Sequence, residues 1–266
     1  MGKHKQGISI VIPTLNEEKN IDELLANIMG LEKSSEKPGE KTDYELEIIV
    51  ADANSKDKTR QVAEAYGARV IHGGLPGHAR NQGARFASHE MVYFLDADVR
   101  IQDKDFIGKS FQEFRERNLD CAGMDNYLLW SGNEKAFSKS AANLVFGVAN
   151  AYIKGVQNTK NPRAVSTAMI VKRPEFITLG GFDENIYWGE DSELAKRFAS
   201  SGYKFGILDS VSIKVSPRKA VSQGSVRFAK NVLRLNAYRS KHGEVSREIY
   251  NQLTGIQDYF ARANPG

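Results

Sequence analysis

The first hundred residues alternate short apolar runs with stretches whose apolar positions recur every three to four residues. Ile8–Ile12 is an apolar run closed by Pro13, which predicts a buried parallel strand. Asn16, Glu17 and Glu18 then read as a helix start, with Ile21, Leu24, Leu25 and Ile28 at helical spacing. Leu31 to Tyr44 is polar, carries Pro38 and Gly39, and predicts a solvated surface loop. Glu47–Ala51 predicts a second strand and Lys58–Tyr66 a helix. Arg69–Ile71 is a short third strand, and the Gly73–Gly77 turn leads into a helix over His78–Ala87. Met91–Leu95 is a fourth buried strand, ending at Asp96-Ala97-Asp98.

Strands separated by helices in this way predict an α/β fold with a mostly parallel, right-handed sheet. Ligands of such sheets bind beyond the carboxyl ends of the strands, and each polar cluster above follows a strand. The second half is less regular. A helix is expected over Asp105–Arg117, a strand over Cys121–Trp130, and a long helix over Glu134–Ile153 with apolar positions at Phe137, Ala141, Leu144, Val148 and Tyr152. Asn158–Arg163 reads as a polar loop, Thr167–Val171 as a strand and Asp191–Ser200 as an amphipathic helix. No internal repeat or low-complexity tract interrupts the chain, so one mixed domain with a helical tail is expected.

Composition adds limits rather than a function. The 266 residues are 41% hydrophobic and 26% charged, enough for a sizeable core. A single cysteine, Cys121, excludes an internal disulfide framework and a multi-cysteine zinc site. The start, MGKHKQG, leads straight into ISIVIP, too short an apolar run for a secretory signal. No stretch reaches the roughly 18 apolar residues of a membrane span. A cytoplasmic location is therefore expected, with any membrane contact peripheral. The net charge of +4 is uneven: Lys214–Tyr250 holds nine Lys/Arg against two Glu. Such a segment can attract phosphates, anionic lipid or nucleic acid, or be a solvated helix face. Val226, Ala229, Leu233 and Ala237 recur there at helical spacing, with Arg227, Lys230 and Arg234 on neighbouring faces. That stripe either packs against the domain or rests on an anionic membrane; packing is the expectation.

Candidate chemistry sits at the strand ends. Asp96 and Asp98 are hard oxygen ligands suited to Mg²⁺ or Mn²⁺ shared with substrate phosphates; alternatively they cap the next helix. Asp52, after the strand LEIIVA, can accept hydrogen bonds from a base or ribose, or merely close an Asx turn. In Gly77-His78-Ala79-Arg80-Asn81-Gln82-Gly83, Arg80 falls one turn into a helix, where it can reach a phosphate or simply face solvent. A second acidic cluster follows Gly180-Gly181-Phe182-Asp183-Glu184 and comprises Trp188, Glu190 and Asp191. Asp191 opens a helix and can act as a general base or an N-cap, and Trp188 can stack on a ligand or join the core. The five histidines lack ligand spacing. Dinucleotide, H-E-x-x-H and G-x-S-x-G fingerprints are absent, and Gly108-Lys109-Ser110 lacks the first glycine of a P-loop, which is Asp103 here.

The ordered pieces SIVIPTLNEEKNI, IIVADANSKDKT, GHARNQGA, YFLDADV, GGFDE and GEDSEL resemble glycosyltransferase family 2, an inverting family with the GT-A fold, over about residues 8–200. The resemblance implies a GT-A-like domain over 1–220, with a nucleotide-binding half at about 8–100 and an acceptor half at about 101–220, and a helical extension over 221–266. It further implies that Pro13, Thr14, Glu17 and Asp52 hold a nucleoside, that Asp96 and Asp98 hold a divalent metal (Mn or Mg) and the diphosphate, and that Asp191 is the base. Arg218, in Ser216-Pro217-Arg218-Lys219, matches a basic segment that touches donor phosphates. A third, histidine metal ligand is not evident, and Q-x-x-R-W of processive synthases is missing, which favours single-sugar transfer. The implied partners are a nucleotide-diphospho-sugar and a glycan, small-molecule or lipid-linked acceptor; no nucleic acid is expected. Two rivals remain: a nucleotidyltransferase, which would need a Gly-rich basic loop where PTLNEE stands, and a non-catalytic nucleotide-binding domain.

Overall fold

In the computed structural model, which describes residues 6–35, 44–129, 136–165, 167–217 and 225–255, the apolar runs become the strands of one mixed sheet. β1 (Gln6–Thr14) lies between β2 (Tyr44–Asp52) and β4 (Met91–Leu95), and β3 (Arg69–His72) sits outside β2, all parallel. The full order is β3-β2-β1-β4-β7-β6-β8-β5. β7 (Ala168–Lys172) enters antiparallel to both β4 and β6 (Cys121–Leu128). β6 is parallel to β8 (Phe205–Val215), and the short β5 (Val99–Arg100) closes antiparallel on the end of β8. The observed sheet is the α/β, mostly parallel one expected.

Helices cover both faces. α1 (Glu18–Ser35), α2 (Thr59–Ala65) and α4 (Phe106–Glu116) share one core with Ile8, Ile10, Ile12, Val50 and Tyr93. α3 (Pro76–Phe86), α6 (Arg173–Thr178) and α7 (Glu190–Ser200) share the other with Val11, Phe94, Phe176 and Phe182. Strand alternation explains the division, since successive side chains of β1 point to opposite faces. The helical positions Ile21, Leu24, Leu25 and Ile28 are all buried. Gly83 lets α3 lie against β1: a Cβ there would fall 2.1 Å from Val11 Cγ1.

Several boundaries differ from the expectation. β1 runs through Pro13 to Thr14, because its β4 pairing has already ended at Val11. α1 continues to Ser35, into the segment read as loop; 36–43 lie outside the described residues, as do Trp130 and Arg218. The sequence reading did not assign β5, β8 or α6. The helical tail forms α8 (Ser225–His242) and α9 (Arg247–Thr254).

The apolar stripes of two helices face outward. On α5 (Ala136–Val156), Leu144 is 69%, Val148 62% and Tyr152 58% exposed, whereas Asn150 is buried and donates to Asn126 O of β6. On α8, Leu233 is 69% exposed and Ala237 is exposed, while Asn231 and Leu235 turn inward. The expected packing of the Leu233–Ala237 stripe is thus reversed, because the register of α8 is set by Leu235.

Glu113 fastens α4 to β8. Its carboxylate accepts from Asp209 N at 2.9 Å, Ser210 N at 2.7 Å and Arg117 Nη1 at 2.7 Å. Burial opposes its ionisation, but these hydrogen bonds prevail and hold its pKa at about 2 against an ordinary 4.5. A depressed carboxyl pKa stabilises the fold above the unfolded value, and this stability is lost as pH falls through the folded one. Glu113→Gln is therefore expected to lower stability at pH 7 by on the order of 2 kcal/mol. In denaturant titrations the gap from wild type should close as pH drops from 4.5 toward 2; a gap independent of pH would exclude the charge as its cause.

Candidate active site

The carboxyl edge of the sheet gathers the polar clusters. β1 ends at Thr14 and β2 at Asp52, paired in register. Thr14 Oγ1 donates to Asp52 Oδ1 at 3.1 Å, and Ser55 N donates to Asp52 Oδ2 at 3.0 Å. Asp52 is thus buried and closes the turn named above as its structural alternative. Asn16 (φ 53°) and Asn54 (φ 60°) adopt the left-handed conformation in the two flanking loops, which interlock: Asn16 N donates to Ser55 Oγ, and Lys56 N to Asn16 Oδ1. Glu17 N donates to Thr59 Oγ1 at 2.8 Å, while the Glu17 carboxylate accepts from Asn20 Nδ2. Pro13, half-buried, lies opposite Ala51 on the same edge.

β4 ends at the Asp96–Asp98 turn, which two later strands hold. Asp96 N donates to Thr167 O at 3.0 Å, beside the start of the antiparallel β7, and Ser216 N donates to Asp98 O at 3.1 Å beyond the end of β8. The Asp98 residue is buried, and the Asp96 side chain is 20% exposed. Neither acid caps α4, whose first residue follows Asp105.

Arg80 joins this turn to the second acidic cluster. Its side chain is 3% exposed; Nη2 reaches Asp96 Oδ1 at 2.6 Å and Nη1 reaches Glu190 Oε1 at 3.2 Å. Nε makes no hydrogen bond, and the guanidinium stands 5.5 Å from the centroid of Phe182. Burial works against the Arg80 charge, yet the carboxylates of Asp96, Glu190 and Asp191 raise its pKa above the ordinary value. The guanidinium therefore lies between carboxylates rather than in solvent.

Asn81 provides the matching neutral grip. Its Oδ1 accepts from Phe182 N at 2.8 Å, and its Nδ2 donates to Phe182 O at 2.9 Å and Glu184 Oε1 at 2.8 Å. Gly181 (φ 74°) makes room, since a Cβ would come within 2.4 Å of Asn81 Oδ1. His78 Nδ1 adds a hydrogen bond to Glu184 Oε2 at 2.8 Å. Burial resists the Glu184 charge, but hydrogen bonds from Asn81 and His78 lower its pKa. Arg197 braces the turn from α7, donating to Leu179 O and Gly181 O at 2.6 Å each.

Asp191 is buried in the first turn of α7, its Oδ1 accepting from Ser192 N at 2.6 Å. The N-cap is Gly189, so Asp191 is not the capping residue. Trp188 is half-buried, bridges Val245 and tilts against Tyr250 at 6.1 Å, which places its ring with the tail. Asp52, Arg80, Asp96, Asp98, Glu190 and Asp191 thus lie along one edge, whereas the position of Arg218 is outside the described residues. The sequence reading quoted Asn81 within a motif without giving it a task; only its adjacency to Arg80 hinted at one.

Comparison with known proteins identifies the family and the fold. Residues 9–174 match the family model described as Glycosyl transferase family 2. The chain belongs to that family. It is 26% identical over 201 residues to the O-antigen chain rhamnosyltransferase WbaN of Salmonella anatum, covering 70% of this chain and 62% of the relative. It is 25% identical over 239 residues to chondroitin synthase of Pasteurella multocida, covering 76% of this chain and 24% of that protein. The family 2 chain thus spans less than two thirds of either relative. In fold it is similar to the mannosyltransferase PcManGT of Pyrobaculum calidifontis, solved with GDP-Man and Mn²⁺ (TM-score 0.61, 17% identity, 97% of this chain and 70% of that one). It is also similar to the glucosyl-3-phosphoglycerate synthase of Mycobacterium tuberculosis, solved with Mn²⁺, UDP-Glc and phosphoglyceric acid (TM-score 0.53, 18% identity, 97% and 82%). These likenesses assign the GT-A fold.

Asn81→Ala is expected to cost about 2–4 kcal/mol, because it strands the buried N–H and C=O of Phe182. Urea unfolding measures the loss; a change below about 0.5 kcal/mol would mean that water replaces the side chain.

Proposed function

We propose that the chain transfers one sugar, a hexose by preference, from a nucleotide-diphospho-sugar to an acceptor hydroxyl with inversion at the anomeric carbon. The observation carrying this reading is the Arg80 bridge, which holds the Asp96–Asp98 turn and the Glu190–Asp191 helix start at one sheet edge. Thr14, Pro13, Glu17 and Asp52 would line the nucleoside end of that edge. Glu190 and Trp188 would border the acceptor, and Arg218 would contact the donor phosphates.

The donor set fits a hard divalent cation, Mn²⁺ or Mg²⁺. Two carboxylates stand at one strand end, and among the described residues no group of three or more His, Cys, Asp or Glu encloses a protein-only site. Asp96 and Asp98 would therefore share the ion with diphosphate oxygens and water, the usual habit of magnesium. Bound there, the ion would offset the negative charge that gathers on the departing diphosphate. Asp191 Oδ would take the acceptor proton as the hydroxyl oxygen bonds to the anomeric carbon and the bond from that carbon to the diphosphate breaks. Arg80, occupied by two carboxylates, keeps the acids in place rather than following the leaving group.

The outward stripes support a peripheral contact with an anionic bilayer. α5 and α8 contain seven Lys/Arg and no Asp or Glu, and they carry four of the six exposed large apolar side chains among the described residues. No helix of the described residues is long and apolar enough to cross a membrane, so the contact would lie along the surface. Vesicles rich in phosphatidylglycerol should co-sediment with the protein at low salt and release Leu144→Asp or Leu233→Asp variants. Wild type that stays in the supernatant at low salt would remove the membrane from this picture.

The transfer reading is tested by thermal shift and turnover with UDP- and GDP-sugars, with and without Mn²⁺. A matching nucleotide sugar should raise Tm only when the metal is present, and Asp98→Asn should abolish that rise. Asp191→Asn should keep the shift and lose transfer by at least about a hundredfold; unchanged turnover in this variant would take Asp191 out of the mechanism.

A further inference from the structure

The helical tail grips the segment that leads into Asp191. Asp183, Glu184 and Asn185 are exposed, and residues 186–190 are half-buried. The backbone N–H groups of Tyr187 and Trp188 both donate to Val245 O, at 2.9 and 3.3 Å, and Trp188 forms an antiparallel bridge with Val245. Val245 is fully buried, in the turn between α8 and α9. That turn is fixed at both ends. Gly243 (φ 90°) donates from its N–H to Arg239 O at 3.0 Å, and Ser246 Oγ, the N-cap of α9, accepts from Ile249 N.

Side chains extend the grip. The Tyr250 ring of α9 lies 4.9 Å from that of Tyr187 and 6.1 Å from that of Trp188, between centroids. Arg239 of α8, its side chain 9% exposed, lies against Gly189: a Cβ on Gly189 would meet Arg239 Nη1 at 2.6 Å and Cζ at 2.7 Å. Gly189 is the N-cap of α7, and its carbonyl accepts from Glu193 N at 3.0 Å. The tail therefore touches each of the three positions before Glu190 and Asp191. Past the N-cap other elements take over: Arg80 reaches Glu190, and Ser192 Oγ accepts from Ala164 N at 3.2 Å.

We propose that Val245 and Tyr250 are positioning residues, which set the start of α7 and through it the place of Asp191 during turnover. The proposal rests on the transfer reading for the role of Asp191. A helical Cα–Cβ bond tilts toward the N-terminus, so the Asp191 side chain leaves the backbone toward the gripped segment. A base works only within hydrogen-bond reach of the proton it takes. The donor side is built differently: Thr14, Asp52, Asp96 and Asp98 stand at the ends of β1, β2 and β4, outside the grip. The tail thus belongs to the acid–base half of the site, and loosening it should slow turnover without weakening the hold on the donor.

Kinetics and hydrogen exchange of the full chain test this with Tyr250→Ala, Tyr250→Phe and Val245→Gly. Turnover is read as UDP or GDP released from UDP- and GDP-sugars with Mn²⁺, water serving as acceptor. Tyr250→Ala should lower kcat about ten- to a hundredfold, the cost of a base displaced by about 1 Å, while donor KM stays within about twofold. Tyr250→Phe keeps the ring and should return kcat to within about threefold of wild type. Amide exchange across residues 187–193 should quicken in Tyr250→Ala, and exchange across 8–12 should not. Val245→Gly keeps the accepting carbonyl but loses the buried side chain, and should give the same pattern, so the test survives the misfolding of either variant. The proposal is overturned by unchanged kcat or unchanged exchange, by donor binding that weakens in step with kcat, or by Tyr250→Phe as slow as Tyr250→Ala. Where wild type cleaves no sugar, exchange alone decides whether the tail holds the start of α7; failure to bind any sugar as well sinks the transfer reading.

Discussion

A guanidinium cannot give up its proton, so the near-complete burial of Arg80 obliges the fold to bring carboxylates to it. Asp96 and Glu190 answer from the end of β4 and the start of α7. That requirement sets the distance between two acidic clusters that share no secondary-structure element. The next residue, Asn81, holds the Phe182 backbone with its amide, and Phe94, Phe176 and Phe182 pack ring to ring beneath, with centroids 5.2–5.5 Å apart. α3 is thus a spacer with one charged and one neutral contact, seated closely on β1 by Gly83.

The centre of the parallel half was legible because β1 and β4 are buried on both faces. Such strands read as unbroken apolar runs, and Met91–Leu95 was placed to the residue. β8 was not visible because Asp209 and Ser210 are exposed where its register to β6 shifts, splitting the apolar pattern. Periodicity identified α5 and α8 as helices but not which side faces the core. On α5 Asn150 turns inward, as does Ile153, and its amide supplies a hydrogen bond that an apolar stripe would not need.

At the site, the residue types and their common edge were legible, since each acid follows a strand. Their partners were not. Arg80 was read as reaching outward to a phosphate, and nothing local in the sequence announces a bond to Glu190, 110 positions away. Asp52 was read as a ligand contact ahead of a turn-closing acid, and its bonds to Thr14 and Ser55 were not announced by the local sequence. Arg239 and Arg163 looked like members of a basic tail and a polar loop. Only the fold brings Arg239 against Gly189 and ties Ala164, the residue after Arg163, to Ser192.

The antiparallel entry of β7 between β4 and β6 has a consequence for how the molecule comes into being. The turn at Asp96 lacks its hydrogen-bond acceptor until Thr167 is in place, and Arg80 lacks its second carboxylate until Glu190 arrives. During synthesis the four parallel strands can pair first, but the acid-lined edge stays open until the later strands and α7 are available. A chain halted before that point would carry Arg80 with only one of its two carboxylates and an unfinished sheet edge, a natural target for quality control rather than a partly active enzyme.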